Sequence, residues 1–376
     1  MAAFTALRRV LREARQMLRP ETYRKGRELQ ERLDTLRLYL LTEAHRSWPD
    51  VRIRTLDDVE DTAPRMHQQT TVLQSNVTAQ IVQMLGAWRV EQPPPMPPDV
   101  PLDDDVPADV AESLAELRDA IVAQYEAELR EAQHRAFGFC VRVKPSGANT
   151  AEAGGAGAGE GVFIEGKARM GSVLAIYPGV VFYPSDIVKL VEGVERFKGN
   201  EYLILRYDQT LIDASPQTLE LVPGSNSTAC PLAVAQRTNH PPAGHDANAL
   251  ACALNLQVSD LPEELHGMLP YVRFEQVEWQ MLHAGGNDEG ETRLLGTPLG
   301  GGPFAALDRM LRFSISEMGA ADAQDDQPLR CLVFVAARDI EDEEVFFNYR
   351  LNPATRETWP KWYVPYAEEE AVRRWS

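Results

Sequence analysis

Cysteine is scarce in this chain of 376 residues: the four present, Cys140, Cys230, Cys252 and Cys331, are scattered, with no C-x-x-C spacing. A structural zinc site needs clustered thiolates or histidines, so no metal site is expected, and reduced, mostly buried thiols are. No run of about 18 apolar residues occurs, which argues against a membrane span or a membrane partner. The first residues never form the long apolar stretch of a secretory signal. There is no G-x-S-x-G elbow, so the seven histidines do not recommend a Ser/His/Asp hydrolase. Basic side chains are outnumbered, 38 against 56 acidic, for a formal charge of −18. A polyphosphate partner would be repelled, which speaks against direct nucleic-acid binding, while a basic peptide would be accommodated.

What is there divides by composition. Residues 1–90 read as helical. Arg8, Arg9, Arg12, Arg15 and Arg19 alternate with Phe4, Leu7, Val10, Leu11 and Leu18, the pattern of a basic amphipathic helix over 4–19. Mitochondrial presequences share that character, but Glu13, Glu21 and the scarcity of hydroxyl residues oppose it. The expectation is an intracellular protein of nucleus or cytoplasm ahead of mitochondrion. A second helix over 21–46 carries Leu29, Leu33, Leu36 and Leu40 on one face, and a third spans 66–88. Residues 91–108 form a linker stiffened by Pro93, Pro94, Pro95, Pro97 and Pro98. A helix follows over 109–135, opened by Asp109 and Glu112, with apolar positions Val110, Leu114, Leu117, Ile121 and Leu129. These helices form a packing or interaction module without visible chemistry.

Short β-type runs dominate from 136 to 350: Val162–Ile164, Val173–Ile176, Val180–Phe182, Tyr202–Arg206, Leu250–Val258 and Leu329–Ala336. A Gly/Ala-rich loop at 147–159 and a Gly-rich, acidic stretch at 284–328 read as surface insertions. Four segments of this region stand out. Gly159-Glu160-Gly161-Val162-Phe163 leads from a loop into a strand, and glycine lets backbone approach a ligand closely. Without a third glycine and a following helix it is no dinucleotide fingerprint. Tyr177-Pro178-Gly179 ends a buried strand in a turn, where Tyr177 taken alone is as well explained as a core tyrosine. Asn239-His240 offers side-chain amide groups and backbone able to pair with an adenine edge. Lastly, an acidic turn at 341–344 runs into the aromatic stretch Phe346-Phe347-Asn348-Tyr349.

In this order the four segments resemble the SET domain: its G-x-G loop, Y-x-G turn, N-H segment and closing E-E-x-x-x-x-Y segment all have counterparts. A narrower likeness, carried by Phe137-Gly138-Phe139, Met170-Gly171-Ser172-Val173, Leu211-Ile212-Asp213, Pro231–Gln236 and Leu329–Val333, is to the relatives of SET domain-containing protein 9. The resemblance implies an α+β protein: a mainly-β SET fold of small sheets around a pseudoknot, with an α-helical N-terminal region. It implies an S-adenosyl-L-methionine-dependent protein-lysine methyltransferase whose partner is a protein with an accessible lysine. By that pattern Glu160, Gly161, Val162, Phe163, Asn239 and His240 would hold the cofactor. Tyr349 would stand where methyl group meets acceptor nitrogen, with Tyr177 and Phe347 walling the lysine channel.

Three departures are visible. The Ser-Cys that usually follows Asn-His is Pro241-Pro242 here, and Asn348 stands where an aspartate often precedes the tyrosine. Residues 351–376 replace the usual cysteine cluster with an aromatic tail containing Trp359, Trp362, Tyr363 and Tyr366. That tail either closes the channel or packs as plain core. The alternative to an enzyme is a catalytically inactive SET-fold interaction module acting through its helical half.

Overall fold

Leucines at 29, 33, 36 and 40 recur at helical spacing, and burying that stripe docks the first helix on the body. The computed structural model of the protein describes residues 26–47, 66–91, 108–147, 159–189, 197, 199–225, 229–277 and 327–376. The helix expected over 4–19, the proline-rich stretch and most of the two low-complexity loops lie outside these residues. Helix α1 (Gly26–Arg46) buries all four leucines, none more than 9% exposed. Helix α2 (Met66–Glu91) lays Leu73, Val77, Ile81, Leu85 and Trp88 along one buried face. None of the helices among the described residues is long and apolar enough to cross a membrane.

Helix α3 (Ala108–Phe137) departs from expectation. Leu117 and Ile121 are 57% and 43% exposed, and over 116–137 burial is confined to Ala132 and Gln133 near the C-terminal end. The apolar spacing is real, yet among the described residues nothing packs on that part of the helix. Gln133 Oε1 accepts the Val141 N–H at 2.7 Å, which ties the helix end to the first strand.

The remainder is three small sheets. β1 (Phe139–Pro145), β2 (Glu160–Ala168) and β10 (Ile340–Glu341) pair antiparallel in the order β1-β2-β10. β3 (Val173–Ile176), β9 (Leu329–Ala336) and β7 (Ala249–Leu256) form an antiparallel sheet in the order β3-β9-β7. β4 (Gly179–Phe182), β5 (Leu203–Leu205), β6 (Leu211–Asp213) and β8 (Tyr271–Arg273) make the third, in the order β5-β6-β4-β8. It is antiparallel except where β4 runs beside β8. The chain is therefore α+β, with small, mostly antiparallel sheets and several helices.

β9 is the hub, and seven of its eight residues are buried. A strand covered on both faces reads as a continuous apolar run rather than an alternation. Helices α1 and α2 supply part of that cover, because Leu38, Leu73, Val77, Ile81 and Leu85 share one core with Val333, Phe334 and Val335. Two glutamines of α2 finish the sheet's edges. Gln80 accepts the Val173 N–H at 2.9 Å and donates to Gly171 O at 3.0 Å. Gln74 accepts the Asn255 N–H at 2.6 Å and donates to Ala253 O at 2.8 Å. Unpaired edge groups are thereby satisfied by side chains rather than by another strand. A smaller core of Phe182, Phe197 and Phe274, with ring centroids 5.0 and 4.7 Å from Phe182, lies against the third sheet.

All four cysteines are buried free thiols, as the composition predicts. Burial pushes Cys230, Cys252 and Cys331 up to about 12, so none is a nucleophile at neutral pH. The chain ends in helix α4 (Glu368–Trp375), which returns to pack on α1.

Candidate functional site

The stretch that follows β10 joins the conspicuous segments. Glu343 O accepts the Ile164 N–H at 3.0 Å and the Val345 N–H donates to Val162 O at 2.7 Å, so residues 343–345 run along β2. Two residues on, the Phe347 N–H donates to Asn239 O at 3.1 Å. Asn239 pairs with Phe346 and Ala249 with Phe347 as isolated parallel bridges. The closing aromatic segment thus lies between the G-x-G strand and the Asn-His segment, and Tyr349 emerges beside His240.

Asn248 fastens this arrangement. Fully buried, it accepts the Phe346 N–H at 2.7 Å and donates to Glu344 O at 2.8 Å. Glu344 does the same on the other side: its Oε1 accepts Ser146 Oγ at 2.7 Å and Asn239 Nδ2 at 3.0 Å. Gly161 is glycine because of this carboxylate. A Cβ there would sit 2.2 Å from Glu344 Oε1 and 3.1 Å from Asn239 Nδ2. Neither Asn248 nor Glu344 is among the sequence-based site residues. Glu344 is visible as the second acid of the E-E-x-x-x-x-Y segment, but the partners of both residues lie from 96 to 198 residues away, so local spacing does not reveal what they hold.

The G-x-G residues are largely engaged by protein. Gly161, Val162 and Phe163 pair with Lys144, Val143 and Arg142 of β1 on one side, and the 343–345 stretch takes the other. Glu160 O accepts Asn239 Nδ2 at 3.0 Å, and its carboxylate pairs with Arg237. Val162 is fully buried, while Phe163 is half-buried with Lys144 Nζ 5.5 Å from its ring centre.

His240 is committed through its ring. Nδ1 accepts the Tyr349 N–H at 3.3 Å, which leaves Nε2 to carry the proton and donate to Val364 O at 2.7 Å. Burial lowers its pKa and keeps the ring neutral. Its own backbone N–H, in a residue 3% exposed, donates to the Tyr349 hydroxyl. The hydroxyl of Thr238 is buried without a partner among the described residues. Buried polar groups are almost always paired, so this hydroxyl marks a position where a polar ligand group would be accepted. The Asn239 and His240 side chains offer such a ligand little, since both are engaged by protein.

Tyr349 hydroxyl donates to Thr238 O at 3.1 Å. Burial, with the Glu201 carboxylate nearby, raises its pKa far above the usual phenol range. Tyr177 is 4% exposed; burial pushes its pKa well up, and Tyr349 and Asp213 push the same way. Phe347 lies between Phe334 and Tyr349, with centroids 4.5 and 4.8 Å away and rings tilted at 44° and 46°.

The aromatic tail packs on the site segments. Tyr363 is buried with its ring 4.4 Å from His240, whereas half-buried Trp362 stands edge-on to Tyr349 at 6.1 Å. Asn348, in the aspartate's position, donates to Tyr366 O at 2.8 Å and so ties the tail to the site. Compared with known proteins, the chain matches no family model, no curated protein and no solved structure.

Proposed function

We propose that the chain is an S-adenosyl-L-methionine-dependent protein-lysine methyltransferase of SET type, with its closing segment threaded as the SET pseudoknot. The observation that carries the reading is the meeting of Tyr349 with the Asn239-His240 segment, two motifs far apart in sequence, beside the buried, unpartnered Thr238 hydroxyl. When bound, the cofactor supplies an electrophilic methyl group on a sulfonium. The chain's own residues do the rest. The Thr238 hydroxyl, buried and without a partner among the described residues, would orient the cofactor's nucleoside end. Glu201, exposed and near Tyr349, attracts a lysine ammonium to the mouth. Tyr177 and Phe347 desolvate it, and desolvation lowers an amine's pKa toward the neutral, nucleophilic form. Tyr349 stays protonated at neutral pH, so it aligns the methyl group through C–H···O contacts rather than acting as a base.

The test is calorimetric titration of the full chain with S-adenosyl-L-methionine, followed by labelled-methyl transfer to lysine peptides by wild type and Tyr349→Phe. Binding by both, with transfer reduced at least about tenfold in the variant, supports the reading. Absence of binding to folded wild type overturns it.

A second reading, an inactive SET-fold interaction module, is favoured by one observation. The Asn239 amide and both His240 ring nitrogens are already satisfied within the protein, beside Pro241-Pro242. Its contact surface would be α3, where Leu117 and Ile121 are exposed, since α1 and α2 are consumed by the core.

A further inference from the structure

Arg350 follows Tyr349 directly and is built in as few arginines are. Its side chain is 11% exposed, as are those of Asp34 from α1 and Glu370 from α4. Nη1 donates to Asp34 Oδ2 at 2.5 Å and Nη2 to Oδ1 at 2.9 Å; Nε and Nη2 reach Glu370 Oε2 at 3.1 and 2.7 Å. Asp34 also accepts the Tyr207 hydroxyl at 2.8 Å and Gln30 Nε2 at 3.0 Å. The Arg350 backbone is fixed as firmly. Its φ is +49°, its N–H donates to Asn348 Oδ1 at 3.0 Å, and its C=O accepts Trp375 Nε1 at 2.7 Å.

Such a construction is costly. A left-handed backbone is uncommon for arginine, and three buried charges are tolerated only when their geometry satisfies them. The neighbouring tethers of Tyr349 are weaker, at 3.3 Å from its N–H to His240 and 3.1 Å from its hydroxyl to Thr238. Charge-assisted, two-pronged bonds are about twice as strong as neutral ones, so the firmest restraint near the tyrosine is one residue away.

We propose that Arg350 is a positioning residue, through which the Asp34–Arg350–Glu370 cluster anchors the Tyr349 segment to α1 and α4. The N-terminal helix then sets where the Tyr349 hydroxyl stands. The anchoring rests on geometry alone; its effect on turnover rests on the methyltransferase reading.

The experiment compares full-length wild type, Asp34→Asn, and the conservative Asp34→Glu. Hydrogen exchange is read at the Phe347 and Tyr349 amides, together with kcat, KM and S-adenosyl-L-methionine binding. The expected Asp34→Asn result is roughly tenfold faster exchange at 347–349 with β9 unchanged. Its kcat falls about ten- to a hundredfold while cofactor binding holds within about twofold. Asp34→Glu, which keeps a carboxylate for Arg350, stays within about threefold of wild type in both exchange and kcat. Exchange that rises only in α1 and α4 overturns the proposal, as does an Asp34→Asn protein with wild-type kcat or a kcat loss that merely tracks lost cofactor binding. A wild type without turnover would sink the methyltransferase reading instead, and exchange at 347–349 would still decide the anchoring.

Discussion

Glu344 organises the site although it faces protein on every bond it makes. Its carboxylate receives Ser146 and Asn239 and fills the space that a side chain at Gly161 would need. The motif reads as room for a ligand; the room is taken by a carboxylate held from the far side of the chain. Gly161→Ala should therefore destabilise the protein by about 1–3 kcal/mol, the usual cost of overpacking a close contact. Gly86 offers the opposite case. It lies inside α2 with nothing within 4 Å of an added Cβ, so Gly86→Ala should stabilise by about 0.5–1 kcal/mol through helix propensity. Thermal melts of the two variants should move in opposite directions. A Gly161→Ala protein that melts with the wild type would show that the Glu344 carboxylate swings aside freely, and that its two bonds contribute little.

Elements with their own periodicity are legible in the sequence. β3 and β9 begin and end where the apolar runs at 173–176 and 329–336 do, and α1 buries the leucine stripe that announces it. β6 and β8, three residues each, and β10, two, are not, because a run that short is defined by its partner rather than by its pattern. β1 escapes as well, for its second half is partly exposed and its pairing with β2 spans the Gly/Ala loop. The larger surprise is what the N-terminal helices do. Gln74 and Gln80 look like solvated polar positions, yet they complete sheet edges 181 and 93 residues away. Removing residues 1–91 should thus do more than detach a module. It strips Leu38, Leu73, Val77, Ile81 and Leu85 from the shared core, each worth about 1.5–3 kcal/mol of burial. The remaining 92–376 fragment should lack a cooperative melt and elute as aggregate by size-exclusion chromatography. A monomeric fragment with a sharp transition would mean that the sheets stand without their helical cover.

For the molecule as a whole, the candidate site is legible as an ordered set of motifs but not as a place. Its four segments run from Gly159 to Tyr349, and hydrogen bonds as distant as Ser146 to Glu344 assemble them. Which groups face a ligand and which face each other is decided by that assembly, as the inward-turned Asn239 and His240 side chains illustrate. The pH dependence of stability follows from the same burial. His45 and His240 have lowered pKa values, desolvation being the main cause for each. A histidine whose folded pKa lies below the unfolded value of about 6.5 contributes stability that is present above that pH and lost as pH falls below it. Each contributes a slope of at most about 1.4 kcal/mol per pH unit. The formal charge of −18 acts in the other direction, because protonating surface carboxylates relieves repulsion, but that begins nearer pH 4, at about the carboxylate pKa. Asp34 and Asp208 join the loss only in that lower range: burial alone would raise both, yet Arg350 beside one and Arg206 beside the other hold them below the usual value. Between about pH 6.5 and pH 5 the histidines should dominate. The urea midpoint should be level from about pH 8 to 7 and fall through that window, with a shallower fall in His240→Gln. An unchanged slope in the variant would remove His240 from the account.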